Sequence, residues 1–291
     1  MSAFSVDNVT ERFRAAPDRY IDVGEGEVAV RTFGSGPDVL LIPGWPVSGA
    51  VYRSIVPALA EHVTCHVIDM PGSGSSRYDE TTTITIEQHV ETIRRVVDAL
   101  DVDDLAVVAQ DSGGMIARHA LVDAPRIRAY GLINTEQPQG FSWRFKIFLA
   151  GRNIPGFGAI LGWASGTRWV RRNKFVFGDA LVDRAHLDGA FDEFFLQPLH
   201  TSKQARGAAM QLFHALKKEH FTDLAEIHPR IECPVHLVWG VEDVFFPIGW
   251  TREMVNTFPN ATLTEVEDAA LFPHVEQPDV VVEALLPTLT A

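Results

Sequence analysis

The chain has 291 residues, of which 46% are hydrophobic, and its formal net charge is −13. A chain of this length can bury one large core within a single domain. The acidic balance, and the lack of a long run of lysine and arginine, exclude a surface that pairs with a row of nucleic-acid phosphates.

The opening residues MSAFSVDNVTERFR contain no apolar segment typical of a secretion signal, and no run of about 20 apolar residues follows. We therefore expect a soluble, cytoplasmic protein with no membrane partner. Only two cysteines, Cys65 and Cys233, are present, so no disulfide framework is predicted. Both lie in predicted core strands and are expected to be buried thiols.

The first half of the chain predicts a sheet protein. Two short alternating runs around a Gly-Glu-Gly turn indicate a hairpin over residues 20–33, and the apolar run 39–42 indicates a buried strand. Further strand-like runs at 65–68, 105–109, 130–133 and 235–239 alternate with helical segments. This alternation predicts an α/β fold whose twisted, mostly parallel sheet is covered by helices on both faces.

The alternation stops between residues 136 and 228, which we call the cap; residues 1–135 and 229–291 are the predicted core. The cap contains 11 of the 18 phenylalanines, together with three tryptophans, Trp143, Trp163 and Trp169. Buried aromatic residues usually only pack a core. As a group, however, these predict the apolar roof of a ligand pocket. The candidate pocket residues are Trp143 and Trp163 from the cap and Phe246 and Phe272 from the core.

The cap also carries seven basic residues in its first half. A solvated helix face is their ordinary role. The alternative is that they admit an anionic substrate against the negative background of the chain. These residues are Arg144, Lys146, Arg152, Arg168, Arg171, Arg172 and Lys174.

The segment VVAQDSGGMIARHAL passes directly from an apolar strand into a helix. Ala109 and Gly113 lie two residues on either side of Asp111, and a tight, strained turn needs small residues at those places. Asp111 is therefore the predicted apex, where a carboxylate can act as a nucleophile or a base. Ser112 is the alternative nucleophile, but its register would put Gln110 in a small-residue position. A second alternative is that Asp111 only caps the helix.

The strand at 105–109, the tight turn at Asp111, which we call the elbow, and the inserted cap together resemble the α/β-hydrolase superfamily. Within it they resemble the Asp-nucleophile branch of haloalkane dehalogenases and epoxide hydrolases. The stretch LLIPGWPVSGAVYRSIVPALA resembles the oxyanion segment of this branch, although Pro43 stands where histidine is usual. VIDMPGSGSS resembles the next strand and its Gly-rich turn. The resemblance implies that the backbone N–H groups of Trp45 and Ser112 hold negative charge beside Asp111.

The resemblance also assigns the rest of the triad. Asp243, in VWGVEDVFFP, occupies the position of the triad acid, and Glu136 the position that some haloalkane dehalogenases use instead. A glutamate at the start of a loop is, however, ordinarily solvated. AALFPHVEQP matches the final Gly-His-Phe motif, with Leu271 at the histidine and Ala270 at the glycine. A leucine cannot take or give a proton, so cleavage of an Asp ester by water is expected to stop.

Other features bear on hydrolysis and cofactors. His274 is the alternative base, but a shift of about one helical turn aims its ring away from the family position. The remaining histidines show no metal-ligand spacing, so we expect no metal and no other cofactor. Ser112 stands where haloalkane dehalogenases carry a halide-binding tryptophan. The cap contains no tyrosine to protonate an opening epoxide.

Three functions follow, each with a small apolar molecule as the ligand. The first is an enzyme that uses Asp111 in a non-hydrolytic lyase, isomerase or cyclase step, because apolar surroundings raise the pKa of a carboxyl group and suit it to proton transfer. The second is a hydrolase of alkyl halides, epoxides or esters with a substitute base. The third is a non-catalytic binding protein or a covalent trap.

Overall fold

The computed structural model describes residues 4–291, in which eight strands form one sheet in the order β1-β2-β4-β3-β5-β6-β7-β8. Strand β2 pairs antiparallel with β1 and β4, and all other neighbours are parallel. The predicted α/β fold with a mostly parallel sheet is confirmed. The strands are β1 Arg19–Asp22, β2 Glu27–Phe33, β3 Asp38–Ile42, β4 Thr64–Asp69, β5 Leu105–Gln110, β6 Ile127–Ile133, β7 Val235–Gly240 and β8 Ala261–Val266.

Helices before β6 and after β7 pack around this sheet. Strand β5 is buried along its whole length, which explains its apolar run LAVVA before Gln110. These helices are α1 Val6–Arg14, α2 Val56–Leu59, α3 Ile86–Leu100 and α4 Ser112–Leu121 before β6, and α12 Ile248–Met254, α13 Pro273–Glu276 and α14 Pro278–Leu289 after β7.

Between β6 and β7 the described chain is helical, and it lies over the end of the sheet where Asp111 follows β5. Its α-helices are α5 Trp143–Ala150, α6 Phe157–Gly166, α7 Arg168–Arg171, α8 Gln197–Thr201, α9 Lys203–Ala215, α10 Glu219–Thr222 and α11 Leu224–Ile227. Two π-helical turns, Lys174–Gly178 and Asp192–Leu196, interrupt them. Short 3-10 turns lie at Gly49–Ser54, Gly151–Asn153, Arg184–Leu187, His228–Arg230 and Val255–Thr257.

Two sequence predictions differ from the structure. Cys233 is not in a core strand: it lies in the loop before β7 and is only half-buried, whereas Cys65 in β4 is buried as expected. Strand β8 has no counterpart in the predicted elements, because it is an edge strand of mixed polarity in which only Val266 is buried. Within residues 4–291, no helix has the length and apolarity needed to cross a membrane.

Candidate active site

Asp111 forms the turn between β5 and α4, with φ 49° and ψ −138°. A side chain added at Gly113 would lie 2.4 Å from the carbonyl oxygen of Pro43, so this close approach requires glycine. The predicted strained turn with small neighbours is therefore present. The Asp111 side chain makes no capping hydrogen bond to α4, which rules out the capping alternative.

Backbone amides surround the Asp111 carboxyl group. The N–H of Trp45 donates to Oδ2 at 2.8 Å, and the N–H of Ser112 is near enough to lower the pKa of the carboxyl group. Burial nevertheless raises the pKa of Asp111 well above its usual range, and the charges of Glu136 and Asp243 raise it further, while the two N–H groups oppose the increase. Asp111 is therefore a carboxyl group that retains a proton far more readily than one in water.

The carboxyl group faces an apolar cavity of about 90 Å³, which we call the Asp111 cavity. Asp111, Ser112 and Glu136 are the polar residues among those lining it, and Leu271 lines it as well. No histidine, tyrosine, lysine or arginine is among its described lining residues. The wall is rich in phenylalanine: Phe145, Phe148, Phe177, Phe191, Phe195, Phe213, Phe245, Phe246 and Phe272.

Two of the four predicted pocket residues line the Asp111 cavity, and two lie outside it. Phe246 and Phe272 line the Asp111 cavity, whereas Trp143 and Trp163 do not and are 67% and 55% exposed. The expectation for these two tryptophans is wrong: other side chains of α5 take the inward positions beside Trp143, and no described residue of α6, the helix of Trp163, lines the cavity. Phe145 and Phe148 of α5 fill the side that faces the cavity, and Trp143 is left on the solvent side.

Glu136 is buried in the site, so the expectation that it is solvated is wrong. Its side chain is 3.0 Å from the Thr135 hydroxyl, and Arg118 donates to the Glu136 carbonyl oxygen at 2.8 Å and to the Thr135 hydroxyl at 2.9 Å. Burial raises the pKa of Glu136 to about 7, against the opposing effects of its own backbone N–H, of Arg118 and of Thr135. The Thr135 hydroxyl also lies 2.8 Å from the Asp111 carbonyl oxygen, which joins the two acids into one network.

Asp243 lies just behind the cavity wall and is held by three donors. Asn134 Nδ2 donates to its Oδ2 at 2.7 Å, and the backbone N–H groups of Phe245 and Phe246 donate to Oδ1 at 2.7 and 3.1 Å. Burial raises the pKa of Asp243 to about 7 although these hydrogen bonds lower it. Three carboxyl groups thus share this region with one buried guanidinium, that of Arg118. Within residues 4–291, no cluster of histidine, cysteine, aspartate and glutamate has an arrangement suited to a metal ion.

Asn134, Thr135 and Arg118 are residues of this network that sequence reasoning missed. Asn134 has φ 29°, and its side chain joins β7 to Asp243 because Oδ1 accepts from the Gly240 N–H at 2.8 Å. Its only sequence signal is its place directly after a buried strand, two residues before Glu136. Arg118 has no local signal, since its partners come from elements far apart in the chain.

Leu271 and His274 lie in different environments. The Leu271 carbonyl oxygen accepts from Gln110 Nε2 at 3.3 Å, and its N–H donates to the Ala180 carbonyl oxygen at 3.2 Å. The ring of His274 packs against Tyr52 at 5.3 Å, does not line the Asp111 cavity, and has no hydrogen-bond partner at either nitrogen among residues 4–291. Burial lowers its pKa to about 3, and the charge of Arg53 lowers it further.

The basic residues of the cap are mostly paired. Arg144 and Arg171 are buried rather than solvated, because Asp179 lies 3.3 Å from Arg144, and Asp188 and Asp192 lie 2.8 and 2.5 Å from Arg171. The expectation of a solvated helix face is therefore wrong for these two arginines. They tie turns of the cap to one another and do not reach the Asp111 cavity.

A second cavity of about 230 Å³ adjoins the first, and Trp45 and Ser112 line both. Its wall is more polar, since it includes the buried pair of Arg31 and Asp69, separated by 3.2 Å. His89 also lines it, and the Nδ1 atom of this ring has no hydrogen-bond partner. A ligand that extends past Ser112 would therefore meet polar groups.

Known proteins resemble this chain over most of its length. The pimeloyl-[acyl-carrier protein] methyl ester esterase of Chromobacterium violaceum is 24% identical over 282 residues, which cover 88% of this chain and 95% of the esterase. Haloalkane dehalogenase 2 of Mycobacterium tuberculosis is 26% identical over 274 residues, with 92% of this chain and 93% of the dehalogenase covered.

Solved structures share the fold at lower identity. The epoxide hydrolase CorEH superposes with a TM-score of 0.77 at 20% identity, over 93% of this chain and 97% of its own. The haloalkane dehalogenase DbeA of Bradyrhizobium elkani gives 0.77 at 17% identity, over 93% and 96%. A family model described as alpha/beta hydrolase fold matches residues 37–278. With this match, the strand order and the elbow at Asp111, the chain belongs to the α/β-hydrolase-fold family.

Proposed function

We propose that this protein is an enzyme that transfers protons on a small apolar molecule, with Asp111 as the reacting carboxyl group and without hydrolysis. One observation carries the proposal: Asp111 and Glu136 are the titratable side chains among the described residues that line the cavity. Burial raises the pKa of both. The pKa of Glu136, about 7, is near the working pH, as a proton-transfer group needs.

Hydrolysis through an Asp ester needs a base that activates water. Leu271 stands on the cavity wall where the family resemblance places the catalytic histidine, and its side chain cannot perform this step. His274 is a poor substitute, because it does not line the cavity and its pKa is lowered to about 3. An alkyl ester formed on Asp111 would therefore persist.

Two carboxyl groups can instead catalyse a reaction in which the proton taken from the substrate is returned to it. In such a reaction, the substrate is a ketone with a C=C bond one carbon away from the carbonyl group, and the ionised Asp111 takes a proton from the carbon between the two groups. The electron pair moves to the carbonyl oxygen, which gives a dienolate, and the protonated Glu136 stabilises that oxygen by donating a hydrogen bond. Asp111 then returns its proton to the far carbon of the original C=C bond, and a new C=C bond forms next to the restored carbonyl group, which completes an isomerisation with all atoms retained. The Trp45 N–H holds Oδ2 of Asp111 throughout.

The proposal is tested by following hydrogen exchange on a simple probe. Cyclohexanone incubated with the protein in deuterated water should exchange its α-hydrogens, which proton NMR detects. Asp111→Asn should slow this exchange at least about 100-fold, as expected for loss of a general base. Full activity in Asp111→Asn, or no exchange with the wild-type protein over cyclic and linear ketones of this size, would contradict the proposal.

A second candidate is attack by Asp111 on an alkyl halide or ester, which the elbow and the two N–H groups at Asp111 favour. Relatives of this chain are an esterase and haloalkane dehalogenases. Intact-mass spectrometry after incubation with bromohexane separates the outcomes. Continuous bromide release indicates a hydrolase with a substitute base, and one stable adduct per chain indicates a covalent trap. Saturable binding without an adduct indicates a binding protein.

A further inference from the structure

The cap exposes eight large apolar side chains to solvent, and we call six of them the cap patch. Trp143, Trp163 and Trp169 are 67%, 55% and 75% exposed. Trp163 and Trp169 meet edge to face, with ring centroids 6.5 Å apart. Exposed tryptophan in such numbers is unusual for a surface that faces only water. The cap patch consists of Trp143, Ile147, Ile160, Trp163, Trp169 and Phe175.

Helix α5 shows how the patch is built. Trp143 and Ile147 lie one turn apart and are exposed, whereas Phe145 and Phe148 of the same helix line the Asp111 cavity. The α5 helix is thus apolar on two faces, of which the protein covers only one. Phe175 extends the patch beside α5, because the Arg144 guanidinium lies 5.2 Å from its ring centroid.

The segment that carries most of the cap patch, residues 143–174, has a net charge opposite in sign to that of the whole chain. Residues 143–174 contain seven lysines and arginines and no aspartate or glutamate, although the whole chain carries −13. Asp179, Asp188 and Asp192 neutralise part of this charge through Arg144, Arg168, Arg171 and Arg172. Lys146 and Lys174 are exposed next to the patch and form no ion pair within residues 4–291.

We infer that the cap patch docks on an anionic phospholipid membrane, with the tryptophans at the headgroup level and Lys146 and Lys174 against the lipid phosphates. Tryptophan, isoleucine and phenylalanine flanked by basic residues form the kind of surface that lies in a membrane interface. Charge complementarity favours this occupant, because each cation near an anionic leaflet strengthens binding about fivefold. The proposed association is peripheral, and it is an alternative to the sequence expectation that the protein has no membrane partner.

Sedimentation of the full-length protein with lipid vesicles tests this inference. Vesicles of equal parts phosphatidylcholine and phosphatidylglycerol should bind the protein, and pure phosphatidylcholine should bind it several-fold less. The double variant Trp163→Ser/Trp169→Ser should bind about tenfold less, which corresponds to roughly 60 Å² of lost apolar burial. Lys146→Gln/Lys174→Gln should weaken binding about 25-fold to anionic vesicles only.

A matched control is Val6→Ser/Val280→Ser, which removes two exposed apolar side chains outside the cap. It should bind like the wild-type protein, and circular dichroism should show that all three variants are folded. If the tryptophan variant fails to fold, vesicle binding by the lysine variant alone tests the inference. The inference is overturned if no vesicle binds the wild-type protein, if both patch variants bind as well as it does, or if the patch proves to be covered by a second copy in solution.

Discussion

The backbone N–H of Trp45 lies 2.8 Å from Oδ2 of Asp111, so the loop after β3 holds the carboxyl group at the apex of the turn. The loop can come this close because residue 44 is glycine: an added side-chain carbon there would lie 2.4 Å from Cβ of Asp111 and 2.7 Å from the Gln110 carbonyl oxygen. The position of Asp111 thus depends on Gly44, which has no side chain.

Gly44→Ala should therefore lower the free energy of unfolding by about 2 kcal/mol or more, because the loop must move away from Asp111. Urea denaturation measures the change. The control is Gly249→Ala in α12, where an added side-chain carbon has no atom within 4 Å; it should be neutral or stabilise the protein by about 0.5 kcal/mol. Equal stability of the two variants would contradict the close approach at Gly44.

Glu136→Gln should change how stability depends on pH. The pKa of Glu136 is about 7 in the folded protein, above its ordinary 4.5, so the folded state prefers the protonated form. Its contribution to stability is complete below the ordinary value and is lost as the pH rises through about 7. At about pH 8 the variant should be more stable than the wild type by roughly 3 kcal/mol, and near pH 4 the two should match.

Chemical denaturation at several pH values measures this difference. Glu61→Gln, at an exposed position, is the control and should follow the wild-type curve. If Glu136→Gln also follows the wild-type curve, burial does not raise the pKa of Glu136.

Leu271→His should introduce slow hydrolysis. An imidazole at this position would reach the cavity that Asp111 lines and would supply the base that activates water. Bromide release from bromohexane should then increase about 100-fold over the wild-type protein. Leu271→Gln is the control, since an amide can hydrogen bond with water but does not take its proton. Equal rates in both variants would show that residue 271 does not stand at the place of the catalytic histidine.

Asn134→Ala should lower the free energy of unfolding by about 3 kcal/mol, because Asp243 and the Gly240 N–H lose their partner. The backbone of residue 134 has φ 29°, which adds strain for alanine but not for glycine. Asn134→Gly should therefore be about 1 kcal/mol more stable than Asn134→Ala. Thermal unfolding compares the variants, and an equal loss in both would exclude backbone strain at this position.

The sheet could be predicted from the sequence because its strands are buried on both sides. A strand such as β5 has no polar face, so an unbroken apolar run followed by turn residues indicates it directly. The elbow was equally visible, since Asp111 stands between two small residues that the turn requires. Strand β8 gives no such signal, because one side of it is the edge of the sheet.

The cap and the acid network were only partly predictable. The direction of Trp143 depends on which face of α5 meets the core, and the helix is apolar on both faces, so its sequence does not distinguish them. The burial of Glu136 depends on Arg118 and Thr135, which reach it from α4 and from the end of β6. Contacts of this kind follow from the tertiary fold and leave no local pattern.

The loop that carries Leu271 is fastened to the cap as well as to the core. Glu276 accepts hydrogen bonds from the N–H groups of Val182, Asp183 and Ala270, at 2.7, 3.0 and 2.8 Å. The Leu271 N–H adds a further bond to Ala180. These bonds couple residues 180–183 of the cap to the loop of Leu271. Ala180 and Leu271 both line the Asp111 cavity, so a movement of this part of the cap changes the shape of the cavity as well.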